Sequence, residues 1–321
     1  MESPSVMNRH YNYPDVSKAV IVPLSEEQLA RRLASEGGKI RMVHGRYWLE
    51  VHPGLYDGIH WLSRHTAEEV RKPALLCWGY RAALHNTESL DANGALPMHL
   101  ITDVEAYDMT GLPPRTRREL RQFQRHDVRI VCVDNPEVFR DQGYEVMCSW
   151  LARTRHRSAA PVKRYLADAE RNVLDPTRLV LAGMAGDKLL GYSTSWVVEG
   201  TVYIWEFHVS PEAFPLHLST ALWFETAQVY RRSGVAREIC AGLAMPEKEG
   251  LTRYKNRLGF QLTRIPTRVW LLRLLSRYIR SRHPYQYYRF TGEEPCRVTD
   301  GSSSAQSEVD QDDESRQVCN G

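Results

Sequence analysis

Two residues of this 321-residue chain stand where a side chain could do chemistry as well as pack. Lys255 lies in "LTRYKNRLGF", residues 251–260, directly after Tyr254 and just before the turn at Gly259. An ammonium there could hold a phosphate or a carboxylate, or polarise a carbonyl oxygen as charge develops on it. The alternative is a lysine on a solvated helix face. Glu206 lies in "VYIWEFHV", between Trp205 and Phe207. Strand alternation puts Tyr203, Trp205 and Phe207 on one face and Ile204, Glu206 and His208 on the other. A carboxylate in such a strand is either a general base or a solvated edge residue. His208, on the same face, reads as a core or substrate-contacting histidine, and no second ligand is spaced to make a metal site with it. His217 in "PLHLS" is a surface-loop histidine or a phosphate contact. Cys240 in "REICAGL" reads as a core residue, because no base is paired with it to make a nucleophile.

The elements that must position these residues follow from local signals. Ser25 to Gln28 has the spacing of a capping box, and Gly37 suits the far end of a helix from about 25 to 36. "KIRMVHGRYWLEV" alternates around His44-Gly45 and reads as a hairpin. "HTAEEVRKPALLCWGYRAALH" suggests a short helix, a break at Pro73 and a strand. Pro113-Pro114 open a helix bearing Arg115, Arg117, Arg118, Arg121 and Arg125, followed by the strand "VRIVCV". Further helices start at Pro136 and Pro161. From Arg178 the period changes. Three apolar, β-branched and aromatic runs are split at Gly186-Asp187 and at Glu199-Gly200, which predicts an antiparallel meander over 178–210. A helix over about 218–233, the strand "REICAGL", a helix over about 247–258 and a strand from Phe260 complete the order.

Bulk properties exclude several classes. Apolar residues make up 42% and charged residues 25% of the chain, ordinary values for a globular protein. No window approaches the ~18 uninterrupted apolar residues that a membrane-spanning helix needs. The N-terminal stretch has no apolar h-region, so the expected location is the cytoplasm. The six cysteines (Cys77, Cys132, Cys148, Cys240, Cys296 and Cys319) contain no CxxC pair, which argues for free thiols over a zinc knuckle or a redox pair. The net charge of +3 hides an asymmetry. Residues 301–321 carry five acids against Arg316, a net −4 that leaves +7 on residues 1–300. That tail is too polar to bury a core and is expected to be disordered.

With these pieces in order, the chain resembles the GNAT acyltransferase superfamily, and within it the FemAB-like branch, over residues 110–292 and most closely over 178–262. "AGDKLLGY" resembles that family's turn between its second and third strands. "FHVSPEAF" resembles the end of its fourth strand, with Val209, Pro211 and Glu212 in a Val-x-Pro-Glu pattern. "LTRYKNRLGF" resembles its late helix and the Gly-Phe turn at Gly259 and Phe260. The resemblance implies an α/β (α+β) fold with a mixed, mostly antiparallel sheet flanked by helices. It implies an N-terminal portion over 1–109 that packs on or completes an acyltransferase domain over 110–292, with the acidic tail over 293–321. The activity it implies is transfer of an acyl group, from acyl-CoA and without a metal, onto an amine of a small molecule or peptide. Glu206 would serve as base for the incoming amine. Lys255 stands where many relatives have a proton-donating Tyr, and the resemblance implies that FemAB-like proteins similarly carry Lys in this place.

The donor site that the resemblance implies consists of Val209, Leu218, Ser219, Thr220 and Ala221. Here the chain departs from the family pattern. An Arg or Gln and a Gly-x-Gly are usual after Val-x-Pro-Glu, and those three places hold Phe214, His217 and Ser219. Backbone amides near Leu218 to Ala221 could still bind an anion, since a helix start does so without glycine, and Ser219 is placed as its N-cap. FemAB proteins use aminoacyl-tRNA, so aminoacyl transfer is the alternative activity, and a non-catalytic binding protein of the same fold is another. The last basic stretch holds Arg264, Arg268, Arg273, Arg277, Arg280, Arg282 and Arg289 without an acid. In "WLLRLLSRYIRSR" the arginines 273, 277 and 280 share a face, with Leu271, Leu274, Leu275 and Tyr278 opposite. Such a segment lies on an anionic membrane surface, follows tRNA, or is a surface helix packed on the sheet.

Overall fold

Ser25 starts a helix because it closes a reciprocal pair of hydrogen bonds. In the computed structural model, which describes residues 11–154 and 158–294, Ser25 Oγ accepts from the Gln28 amide at 3.2 Å and Gln28 Oε1 accepts from the Ser25 amide at 2.8 Å. Two orphan donors of helix α1 (Glu26–Ser35) are thereby satisfied. Next along the chain come strands β1 (Ile40–Val43), β2 (Arg46–His52), β3 (Leu55–Gly58), β4 (Gly79–Ala83) and β5 (Gly94–Ile101), then α2 (Pro114–Phe123), β6 (Arg129–Cys132), α3 (Tyr144–Thr154) and α4 (Val162–Leu174). Strands β7 (Leu179–Ala185), β8 (Lys188–Val198) and β9 (Thr201–Val209) precede α5 (Leu218–Ser233), β10 (Glu238–Leu243), α6 (Glu249–Arg257), β11 (Gln261–Leu271), α7 (Arg273–Arg282) and α8 (Pro284–Thr291). The fold is mixed α/β, and its registered strand pairs are antiparallel except for β3 with β4. The acidic tail of residues 301–321, Cys296 and Cys319 lie outside the described residues.

The chain divides into two compact units. One contains the described residues of Met1–Pro23, Thr102–Ile239 and Arg257–Gly259, the other those of Leu24–Ile101, Cys240–Asn256 and Phe260–Gly321. The two units interleave along the chain. The reason is non-local pairing: β11 lies antiparallel to both β4 and β5, which draws the end of the chain into the company of residues 24–101.

In the first unit β7 to β9 form the expected meander, and β6 pairs antiparallel with β7 beside it. Glu199 and Gly200, the whole β8–β9 turn, have φ of 47° and 80°. Positive φ at both central residues is the type I′ geometry, whose twist matches the flanking strands. One sheet face is covered by α3 and α4, with Met147, Trp150, Tyr165 and Tyr192 in a common core. On the other face Trp223 of α5 stacks on Phe207 with ring centroids 4.9 Å apart.

In the second unit the strand order is β1-β2-β3-β4-β11-β5. Three elements here carry no expectation from sequence: β3, β5 and α8. The helix expected over "HTAEEV" is only a turn, because Glu69 closes it locally. Its amide donates to the Thr66 carbonyl at 3.2 Å, and its carboxylate accepts from the Thr66 amide at 2.7 Å. Among the described residues, no helix is long and apolar enough to cross a membrane.

A buried polar cluster makes this second unit sensitive to acid. Glu26 accepts from the Ser63 hydroxyl and lies 3.4 Å from His60 Nε2. Burial alone would raise its pKa, but His60, Ser63 and Arg46 hold it down to about 2. His65 is fully buried, and desolvation, reinforced by Arg46, pushes its pKa down to about 4 from 6.5. The unfolded chain therefore takes up a proton near pH 6.5 that the folded chain refuses until about pH 4. Stability is full above pH 6.5 and falls as the pH drops towards 4. At about 1.4 kcal/mol per pH unit, His65 alone removes about 3 kcal/mol across that window. Urea unfolding at pH 7 and near pH 4 measures this, and equal stabilities at the two values would contradict it.

Candidate functional site

The strand that carries Glu206 does not alternate regularly. Ser195 pairs with Ile204, but the next residue of β8, Thr194, pairs with Glu206, so Trp205 is an extra residue in β9. This bulge inverts the alternation expected from sequence. Ser195 Oγ accepts from the hydroxyl of Tyr230 in α5 at 3.0 Å, which puts its partner Ile204 on the α5 face. Phe207 also faces α5. Glu206 instead faces α4, where it accepts from Asn172 Nδ2 at 3.1 Å. Asn172 Oδ1 in turn accepts from Arg178, whose guanidinium lies 5.0 Å from the Trp196 ring centre. Bulges re-aim side chains and interrupt pairing, and they are frequent beside active sites.

Glu206 is 8% exposed, which removes the solvated-edge reading. Thr194, opposite it, is buried with its hydroxyl unpartnered among the described residues. His208 packs against Trp150 and Tyr192, with centroids 4.9 Å away in both cases, and is a core histidine. Val209 is buried against Gly191 of β8.

The start of α5 carries a left-handed residue although it has no glycine. His217 has φ 58° and ψ 27°. That left-handed conformation costs an ordinary residue about 1 kcal/mol. His217, not Ser219, is the N-cap, and its side chain makes no capping bond. The helix thus begins one residue before the sequence-assigned cap. The amides of Leu218, Ser219 and Thr220 are the orphan donors that a helix start leaves, whereas the Ala221 amide already donates to the His217 carbonyl at 3.1 Å. Leu218 is fully buried, seated so closely on Gly183 that a Cβ there would come within 2.4 Å of its Cδ1. The leucine is therefore a packing residue of β7.

Thr220 connects this helix start to α2. Its hydroxyl donates to Glu119 Oε2 at 3.0 Å, while Arg115 Nε and Arg257 Nη1 stand 3.2 and 3.3 Å from Glu119 Oε1. Two guanidinium groups against one carboxylate leave the cluster positive beside the orphan amides. The fit to coenzyme A is thus partial. Amides and arginines suit a phosphate, but side chains at 217 and 219 occupy positions where glycine would let a pyrophosphate approach the backbone. Sequence reasoning did not single out Glu119 or Arg257. The signal was Glu119 itself, the one acid within the arginine run of α2.

Lys255 belongs to the second unit. Only 4% exposed, it donates from Nζ to the Ala241 carbonyl of β10 at 2.8 Å. The solvated-face alternative is therefore wrong, because the side chain points inwards. Gly259, at φ 90°, ends the helix turn, and the Phe260 amide returns to the Lys255 carbonyl at 3.1 Å. His99 of β5 is also buried, and its pKa is pushed down to about 3 by desolvation and then by the Lys255 charge. Cys240 is buried, and its Sγ accepts from the Gly242 amide at 3.3 Å. Cys132 is held protonated, its pKa raised to about 11 chiefly by burial. Among the described residues, no three His, Cys, Asp or Glu side chains converge as a metal-ligand set.

No protein-family model and no curated protein matches the sequence. Among solved structures the chain is similar to FemX, with 12% identity, a TM-score of 0.56, and coverage of 82% of this chain and 96% of that one. It is also similar to the C-terminal domain (DUF2156) named for a lysylphosphatidylglycerol synthetase of Agrobacterium fabrum, with 13% identity, a TM-score of 0.53, and coverage of 83% and 96%. The chain thus shares its fold with FemX and with that domain.

Proposed function

We propose that this protein is a transferase that moves an acyl group from a phosphate-bearing donor onto an amine. The observation that carries this reading is the start of α5 on a GNAT-like fold. There, orphan amides adjoin the Arg115–Glu119–Arg257 cluster, and His217 takes a left-handed conformation before them. Helix starts bind phosphate through such amides and through the field of the helix. In the reaction the amine nitrogen bonds to the acyl carbon, the bond to the donor's sulfur or oxygen breaks, and the nitrogen's proton ends on solvent or the leaving group. Acyl-CoA is the donor placed first. Aminoacyl-tRNA is the second reading, favoured by the side chains at His217 and Ser219. For Glu206 the proposed role is base for the incoming amine, with Asn172 orienting its carboxylate. For Lys255 we propose the role its ammonium allows: polarising the acyl carbonyl, or holding a phosphate or carboxylate.

Binding of labelled acetyl-CoA and of aminoacyl-tRNA to the full chain, together with the mass of any co-purified ligand, tests this. Combining Thr220→Val with Arg257→Ala should weaken binding of the true donor about tenfold or more, the scale of a charge-assisted contact, at an unchanged melting midpoint. If neither donor binds and no ligand co-purifies, the transferase reading fails and a non-catalytic protein of this fold takes its place.

A further inference from the structure

The basic segment at the end of the chain does not stand alone on the surface. Pairing of β4 with β11 sets Gly79 opposite Leu271, and the Leu272 amide donates to the Trp78 carbonyl at 2.7 Å. Residues 71–78 and the first turns of α7 are thereby brought side by side. Both carry aliphatic side chains in water: Leu75 is 95%, Leu76 84% and Leu274 73% exposed. The indoles of Trp78 and Trp270 are partly exposed beside them, with Lys72 Nζ 5.6 Å from the Trp270 ring centre. On α7, Leu274 and Tyr278 sit one turn apart between Arg273 and Arg277 on one side and Arg282 on the other, while Leu275 and Ile279 are the more covered residues. Neither segment contains an acid. Arg280 is shared with Glu293 at 3.2 Å, so Lys72, Arg273, Arg277 and Arg282 supply the charge.

We infer that this surface is a peripheral membrane anchor that docks on a bilayer of anionic phospholipid. A helix about 15 Å long that presents leucine and tyrosine between arginines matches the boundary between headgroups and acyl chains. Tryptophans favour that same level, and each cation near an anionic leaflet adds attraction. The chemistry selects lipid over the two other occupants. RNA is held by aromatic stacking along a cationic groove, and the most exposed side chains here are leucines, which have no face for a base. A second copy would set the same arginines against each other, and like charges facing across an interface oppose association.

Co-sedimentation of the full chain with phosphatidylcholine vesicles, with and without phosphatidylglycerol, tests the inference. Partition to the anionic vesicles should exceed that to neutral ones by about tenfold or more, and added salt should reduce it. The combined variant Leu75→Ser, Leu76→Ser and Leu274→Ser should lose about tenfold in partition at an unchanged melting midpoint, since these side chains pack on little. Arg273→Glu with Arg277→Glu should remove most of the preference for phosphatidylglycerol. The proposal is overturned if the parent stays in solution with anionic vesicles or if the leucine variant partitions like the parent. It is equally overturned if the surface binds tRNA, or dimerises, without binding vesicles.

Discussion

Lys255→Met lowers turnover about a hundredfold with the true donor, equivalent to about 2.7 kcal/mol of transition-state stabilisation. The size follows from burial. An ammonium removed from water acts on a neighbouring charge through a low dielectric, where one preorganised donor contributes on the scale of an oxyanion-hole contact. The fold should largely survive the change. The Ala241 carbonyl loses its 2.8 Å partner, a cost of about 1–3 kcal/mol, but the cost of burying the ammonium disappears as well. Lys255→Arg should restore only part of the activity, because a planar fork does not reproduce a compact point charge. His99 supplies a readout independent of turnover. Since the Lys255 charge helps to hold its pKa down, NMR titration of Lys255→Met should show His99 protonating at a higher pH than in the parent. A shifted His99 together with parental turnover would leave Lys255 as a tether between α6 and β10 and sink the chemical reading.

How far such residues could be read from sequence depended on whether their signals are local. The meander was legible because its turns announce themselves: Gly186-Asp187 and Glu199-Gly200 interrupt long β-branched runs, and each turn takes positive φ where glycine permits it. The turn after α6 was legible through Gly259 for the same reason. The bulge at Trp205 was not, since "VYIWEFHV" reads the same with or without an extra residue, and only pairing with Thr194 and Ser195 reveals it. One undetected residue reversed the face assigned to Ile204 relative to Phe207 and turned Glu206 towards α4. Strand β5 was hidden by Pro97, which lacks a donor and reads as a strand breaker. In the fold its carbonyl still accepts from the Ala244 amide at 2.9 Å. Burial of Lys255 was equally hidden. A lysine on an amphipathic helix faces water by default, and what turns this one inwards is the Ala241 carbonyl on another element.

Asp57→Ala costs about 3–5 kcal/mol of folding stability, the range for breaking a buried ion pair by removing one partner. Asp57 and Arg81 are 4% and 6% exposed and are register partners of the parallel pair β3–β4. The contact is bidentate, with Arg81 Nε and Nη2 donating to the two carboxylate oxygens at 2.8 and 2.7 Å. The third donor, Nη1, reaches the Arg289 carbonyl at 2.7 Å, and the Phe290 ring centre lies 5.0 Å from the guanidinium carbon. One side chain therefore joins two strands to α8, which in turn meets α7 where Ser276 Oγ and the Tyr287 hydroxyl stand 3.3 Å apart. Removing Asp57 strands a guanidinium without its counter-charge. Arg81→Lys keeps the charge but loses the fork and should still cost about 2 kcal/mol, because one ammonium cannot span both oxygens and the Arg289 carbonyl. The pair Asp57→Leu with Arg81→Met should be considerably less damaging than Asp57→Ala alone, since it buries apolar groups in place of two desolvated charges. Urea unfolding of the three variants at pH 7 gives the comparison. A loss under about 1 kcal/mol for Asp57→Ala would mean that water reaches the pair; a double variant worse than the single one would mean that the three-way bond to α8, and not charge balance, sets the stability of this unit.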